Sequence, residues 1–327
     1  MIIQTAHLTK SYRRFEKEEG LLGSVKSLFH RRYIEKTAVS DFNLEVQQGE
    51  FVGLIGPNGA GKTTLIKMLT GIIAKTSGEL SVLGFYPNTL ENELKRQYAV
   101  VMGQKSQLFF ELSAADTFLL FKELYSIPEQ EYRRNLSYFM ELFGVEAYLN
   151  VQVRTLSLGE RMKMELIAAL LHNPKVLFLD EPTIGLDAVA QKQIRNFLKE
   201  VNAEKGTTVL LTSHYMEDIL SLCRRCVVIN AGTKLYDGDT TTLFEKYQTH
   251  KKISVAFEEE TEVALKEEVD IIEQNPFMLS FMVRKERAQF ILKELMNHYS
   301  IRDVTVEEED IGNVVERIYN DRGRPCL

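Results

Sequence analysis

The chain has 327 residues, 44% of them apolar and 26% charged, and a formal net charge of -6. That length exceeds one average domain, and the acidic balance disfavours nucleic acid as the main partner. Three cysteines make no even-numbered disulfide framework, charged residues begin too early for a secretory signal, and no apolar run approaches a membrane span. The expectation is an intracellular protein that, if it works at a membrane, must be recruited there.

Taken in chain order, the first distinctive stretch is "GLLGSVKSLFHRR". Leu21, Leu22, Val25, Leu28 and Phe29 share one face at helical spacing, with Lys26, His30, Arg31 and Arg32 around it. This face is a candidate contact for anionic lipid or a membrane partner, with packing on its own sheet as the alternative. "EFVGLI" (50–55) is short and apolar on both faces, as a buried parallel strand should be, and "TTLIKMLTG" after it reads as a helix stopped by Gly71. From about 90 to 170 the chain turns helical, with Ser113 capping "SAADTFLLFKELY" and Gly144 ending "EQEYRRNLSYFMELFG". No strand is expected in that block. "KVLFLD", "TTVLLT" and "CVVIN" then supply β-rich runs, with a helix between the first two, which is the alternation of an α/β sheet. After Tyr247 the composition becomes acidic, and "ISVAF", "MLSFMV" and "IRDVTV" alternate around a helical "ERAQFILKELMNHY", predicting a separate small α+β domain. The acidic clusters there read as solvated faces, Cys223 and Cys226 as structural residues, and Cys326 as an ordinary thiol.

Between the first strand and helix lies "GPNGAGKTT". Gly56, four residues, Gly61, Lys62 and Thr63 fit the spacing of a loop whose backbone N–H groups wrap phosphates, and the flanking elements are those such a loop requires. Within it Pro57, Asn58, Gly59, Ala60 and Thr64 shape the cradle and open the helix. Lys62 would neutralise β- and γ-phosphate oxygens, the Thr63 hydroxyl would ligate Mg²⁺, and the helix would aim its positive end at the triphosphate. "VLFLDEP" ends an apolar strand on adjacent carboxylates: Asp180 is placed to hold Mg²⁺, and Glu181 to polarise the attacking water as general base. In "LSLGERMKMELIAALLHNPK", Ser157 opens a helix whose first turn, with Gly159, offers a second phosphate-binding end. One chain already has its phosphate loop, so the second end makes sense if it serves another copy.

These motifs, in this order, resemble those of the ABC-type ATPases over roughly residues 1–245: "GPNGAGKTT" as Walker A, "VLFLDEP" as Walker B, "LSLGE" as the signature, "GLD" (185–187) as the D-loop and "TSHYMED" carrying His214. The resemblance implies a P-loop ATPase α/β core with a helical subdomain at about 90–170, an insertion at about 15–33, and an accessory α+β domain over 246–327. It implies ATP and Mg²⁺ as cofactors, Gln104 as the Q-loop residue sensing Mg²⁺ and the attacking water, His214 on the γ-phosphate, Asp187 lining the subunit contact and Tyr12 stacked on adenine. It also implies a head-to-tail pair of ATPase subunits, each nucleotide held by one copy's Lys62, Thr63 and Asp180 and by the other copy's Ser157 and Gly159. The chain departs from the pattern where Leu158 stands for the signature glycine, Glu160 for its glutamine, and where the insertion separates Tyr12 from the core, with Tyr33 as a substitute.

A single ATPase unit with a short α+β tail is similar to the ATP-binding subunits of ABC-2-type exporters, in particular a NatA-like branch. That likeness implies a separate integral-membrane permease, contacted near Phe109 and Phe110, and a place on the cytoplasmic face of the membrane. A soluble ABC protein acting on ribosomes or nucleic acid, and an importer ATPase, are the alternatives.

Overall fold

The computed structural model describes residues 1–16, 32–103, 105–213, 215–263, 269–309 and 317–318. It divides into two compact units, with the change of unit between Thr240 and Thr241.

The first unit contains two sheets. Strands β1 (Ile3–Glu16), β2 (Arg32–Val46) and β4 (Ser77–Val82) form an antiparallel sheet in the order β2-β1-β4. The β1 and β2 strands pair as far as Glu16 and Arg32, with Phe15 opposite Tyr33. The ends of the expected insertion therefore continue this ladder, while the apolar helical face from Leu21 to Phe29 lies outside the described residues.

The second sheet has the order β5-β6-β7-β3-β8-β9, from β3 (Phe51–Ile55), β5 (Tyr98–Met102), β6 (Val176–Asp180), β7 (Thr208–Thr212), β8 (Arg225–Asn230) and β9 (Thr233–Asp239). Its strands are parallel except β9. Every residue of β3 and β7 is buried, which is why they read as unbroken apolar runs. Helix α1 (Lys62–Leu69) lies between the two sheets, where Leu65, Ile66, Met68 and Leu69 share one core with Phe42 and Leu44 on one side and Leu54, Phe178 and Leu210 on the other.

Helices α2 (Ala114–Tyr125), α3 (Glu129–Phe143) and α4 (Leu158–Leu170) make up the helical part. Ser113 forms a capping box with Asp116, and Gly144 ends α3 in the left-handed region, as their positions predict. The strand β5 corrects the expectation of a block without strands. "YAVVM" alternates buried and half-buried residues over one short run at the edge of the sheet, and it takes shape only by pairing with β6. Helices α5 (Ala188–Lys205) and α6 (Met216–Leu222) follow β6 and β7. Among the described residues no helix is long and apolar enough to cross a membrane.

The chain changes unit within α7 (Thr240–Tyr247). The second unit is an antiparallel sheet of order β11-β12-β10-β13, from β10 (His250–Phe257), β11 (Asp270–Asn275), β12 (Met278–Arg284) and β13 (Ile301–Glu308). Ile253, Val255 and Phe257 alternate inward against Ala288, Ile291 and Leu295 of α8 (Lys285–His298). Strand β11 adds an element that the sequence reading lacked. All six of its residues are exposed, so it carries no burial pattern to read.

Candidate functional site

The phosphate loop joins β3 to α1. Gly61 precedes the helix at φ 110°, and a Cβ there would overlap the Ala38 carbonyl oxygen, so the position requires glycine. Ala60 is buried and its N–H donates to Pro57 O at 3.1 Å, while Gly59 turns through φ 80°. No side chain caps α1 and its first turn holds no acid, so the amides of Lys62, Thr63 and Thr64 open on a helix end suited to an anion. Lys62 is only 5% exposed, and its Nζ donates to the carbonyls of Gly56 at 2.6 Å and Pro57 at 3.1 Å. Burial pulls the Lys62 ammonium down from its ordinary pKa, and the Glu181 and Asp180 carboxylates oppose that pull. A buried cation whose hydrogen bonds, among the described residues, go to carbonyls of its own loop fits a group that exchanges them for phosphate oxygens.

Strand β6 brings Asp180 and Glu181 to the same end. The Thr63 hydroxyl donates to Asp180 Oδ1 at 3.3 Å, and the Thr212 hydroxyl donates to the same oxygen at 2.7 Å. A hydroxyl beside a carboxylate is a hard oxygen set, which fits Mg²⁺. Thr212 also accepts the Glu181 N–H, at 3.0 Å on its carbonyl and 3.1 Å on its hydroxyl. Glu181 itself sits at φ 56°, a region that non-glycine residues seldom occupy and that clusters at functional sites. Thr212, at the end of β7, thus holds both acids through one side chain and one carbonyl.

The signature segment is built differently. Ser157 caps α4: its hydroxyl accepts the Glu160 N–H at 3.3 Å, and the Glu160 carboxylate accepts the Ser157 N–H and hydroxyl, each at 2.8 Å. These bonds to Ser157, backbone first, with help from Tyr148, hold the Glu160 carboxyl below its ordinary pKa. Glu160 therefore serves as the acid of a capping box where the resemblance expects glutamine. Leu158 lies against Gly185 of the "GLD" stretch, and Gly159 follows in the first turn of α4. Asp187 caps α5, accepting the Ala190 N–H at 2.8 Å.

Tyr12 lies on β1, exposed, with the Lys10 ammonium 5.0 Å above its ring; Tyr33 is exposed on β2. Gln104 and His214 lie outside the described residues. Their neighbours show buried acids that sequence reasoning missed. Asp218 accepts bonds from Thr183 at 2.5 Å, Ser213 at 2.6 Å and Arg195 at 3.0 Å, tying the segment before His214 to the segment after Glu181. Glu165 lies within "MELIAAL", and its isolation among apolar residues was the available signal.

A family model described as ABC transporter matches residues 39–184. The ABC transporter ATP-binding protein NatA of Bacillus subtilis is 32% identical over 219 residues, 66% of this chain and 89% of that protein. The chain belongs to the ABC transporter family of ATP-binding proteins. This ABC-type ATPase is also 36% identical to the Nod factor export ATP-binding protein I of Burkholderia thailandensis, over 66% of its own length and 70% of that protein's. Among solved structures, an ATP binding subunit of an ABC transporter is 25% identical with a TM-score of 0.63, covering 76% of this ABC ATPase and 93% of that chain. The fold is shared with a dimeric ATP-binding cassette bound to ADP and Pi, TM-score 0.59 at 24% identity, over 72% of this chain and 98% of that one.

Proposed function

We propose that this ABC ATPase is the nucleotide-hydrolysing subunit of an ABC-2-type exporter of the NatA-like branch, paired with a second ATPase subunit and a separate membrane permease. The observation that carries the hydrolytic part is the gathering of the Thr63 and Thr212 hydroxyls on Asp180, with Glu181 held beside them by Thr212. In this reading Lys62 binds the terminal phosphates, Thr63 and Asp180 hold Mg²⁺ with Gln104, Glu181 takes the proton of the attacking water, and His214 orients the γ-phosphate. Bound Mg²⁺ supplies charge neutralisation at the phosphates. Tyr12 stacks on adenine, and Ser157 and Gly159 complete the site of the partner copy, with Asp187 at the contact.

The export direction is supported by the resemblance of the C-terminal domain, proposed to span about 246–327, and by the relative named for Nod factor export. A place for the permease is supported by Phe109 and Phe110, 48% and 44% exposed, and by the exposed Leu119, Leu120 and Leu124 of α2. Leu124 also lines a cavity of about 550 Å³ with Ile72, Tyr98, Gln107 and Tyr125. This contact would hold the subunit at the cytoplasmic face of the membrane. The test is affinity purification of the full chain from detergent-solubilised membranes. A multi-helix membrane protein that stimulates its ATP turnover is the expected result, and ribosomes or nucleic acid in its place would replace the transport reading with the soluble one.

A further inference from the structure

The turn that begins at Glu181 is held from two directions. On its N-terminal side the Glu181 N–H bonds to Thr212 at the end of β7. The Glu181 carbonyl then accepts the Ile184 N–H at 3.3 Å, which closes a turn with Thr183 inside it. Thr183 is buried, and its hydroxyl donates to Asp218 Oδ2 at 2.5 Å. Asp218 stands in the first turn of α6 and is fully buried. The same Oδ2 accepts the Ser213 hydroxyl at 2.6 Å, and the Ser213 hydroxyl in turn accepts the Tyr215 N–H at 2.9 Å. Oδ1 accepts a bond from the Arg195 guanidinium at 3.0 Å, and the second guanidinium nitrogen reaches Glu217 at 2.9 Å. One carboxylate thus joins the start of α6, the middle of α5 and the turn after β6.

A buried ion pair needs a reason, because apolar side chains of similar size would hold α5 to α6 about as well without the cost of desolvating two charges. What apolar side chains cannot do is bind a hydroxyl in one direction. Thr183 supplies that hydroxyl, in a position where valine has the same shape. Its bond bears on a strained neighbour: Glu181 sits at φ 56°, a conformation that persists only where the surrounding structure over-determines it. Thr212 fixes the turn on one side of Glu181, and Asp218 fixes it on the other.

We propose that Asp218 is a positioning residue for ATP hydrolysis, which acts through the Thr183 hydroxyl to hold the turn that aims Glu181. Arg195 supplies the countercharge for the buried carboxylate, and Ser213 fixes its orientation. Asp218 touches neither nucleotide nor water in this arrangement; its effect on the reaction is the geometry it imposes two residues beyond Glu181. The inference rests on the reading of Glu181 as general base and on nothing about transport.

The test measures kcat and KM for MgATP on the full-length chain without a permease. Thr183→Val keeps the shape and removes the hydroxyl, and it is expected to lower kcat about tenfold with KM changed by less than about twofold. Thr183→Ser restores the hydroxyl and is expected to recover most of the wild-type kcat. Asp218→Asn turns an amide nitrogen toward donors and is expected to lower kcat by a larger factor than Thr183→Val. If Asp218→Asn loses its cooperative melt, the two Thr183 variants carry the test alone. The deciding comparison is Thr183→Val in a Glu181→Gln background, where it is expected to change the residual turnover by less than about twofold, because the group it misplaces is already gone. Unaltered kcat in Thr183→Val, or a further tenfold loss on top of Glu181→Gln, would reduce Asp218 to a packing element and overturn the proposal. Full turnover by Glu181→Gln alone would remove the general base, and the proposal would then fall with that reading whatever the Thr183 variants do.

Discussion

The Walker end of the first unit and its signature end, both proposed to meet phosphate, are built in opposite ways. At the Walker end, strands β3, β6 and β7 deliver Lys62, Asp180, Glu181 and Thr212 to one place: the Lys62 ammonium bonds to its own loop, the Asp180 carboxylate accepts the Thr212 hydroxyl, and the Glu181 backbone N–H donates to Thr212. Backbone strain at Glu181 and a buried ammonium are tolerated there because the sheet over-determines the geometry. At the signature end, among the described residues, the Ser157 hydroxyl bonds only to Glu160 of its own helix turn. The first region is an assembled cluster, and the second is a capped helix end that in the proposed reading gains its role when a phosphate is presented to it. That contrast is what the proposed sharing of a site between two copies predicts for one of them.

The comparison is sharpened first by Glu181→Gln. It is expected to lower kcat by about 10³-fold, the scale of a lost general base, while ATP binding persists and a nucleotide-bound dimer accumulates on gel filtration. Full turnover by that variant would take Glu181 out of the assembled site. Next, Lys62→Ala is expected to weaken ATP binding by about 10- to 100-fold in equilibrium titration, because a charge-assisted contact is lost before any chemistry. Ser157→Ala is expected to leave binding nearly intact and lower kcat about tenfold. Mixing it with the Lys62→Ala chain should restore part of the turnover, since one composite site then has both halves. If mixing restores nothing, the division between the two ends is not a division between copies.

The smallest effect at neutral pH is expected at His172, just beyond α4. Its ring stacks on Tyr125 at 4.0 Å and bonds to Tyr98 O at 3.2 Å, and burial pushes its pKa from 6.5 down to about 4. The unfolded chain takes the proton first as the pH falls, so this residue's contribution is whole above pH 6.5 and is lost progressively toward pH 4. His172→Gln should flatten that part of the profile, read as the urea midpoint against pH. An unchanged slope would show that the docking of the helical part onto β5 is not guarded by a neutral imidazole.

How much was legible beforehand differs by residue. Gly56 to Thr64, Asp180 with Glu181, and Ser157 announce themselves because each acts through its own backbone turn or strand end, a few residues of contiguous chain. The capping boxes of Ser113 and Ser157 are legible for the same reason. Strand β5 was not, since five residues at a sheet edge acquire their shape from β6. The sheet of β1, β2 and β4 also went unread, because its pairings join segments far apart in sequence.

What the sequence determined by itself is therefore the local structure: a glycine loop at a strand–helix junction, two acids at a strand end, and a second capped helix end that the proposed function assigns to another phosphate. Only the tertiary structure decided who holds those groups in place. Thr212 reaches Asp180 and Glu181 across a parallel pair of strands, Asp218 gathers Thr183 and Ser213, and Glu165 fastens the Gln107 loop. Spacing along the chain encodes what a turn of backbone can present, whereas a buried acceptor finds its donors only after distant segments have packed and excluded water.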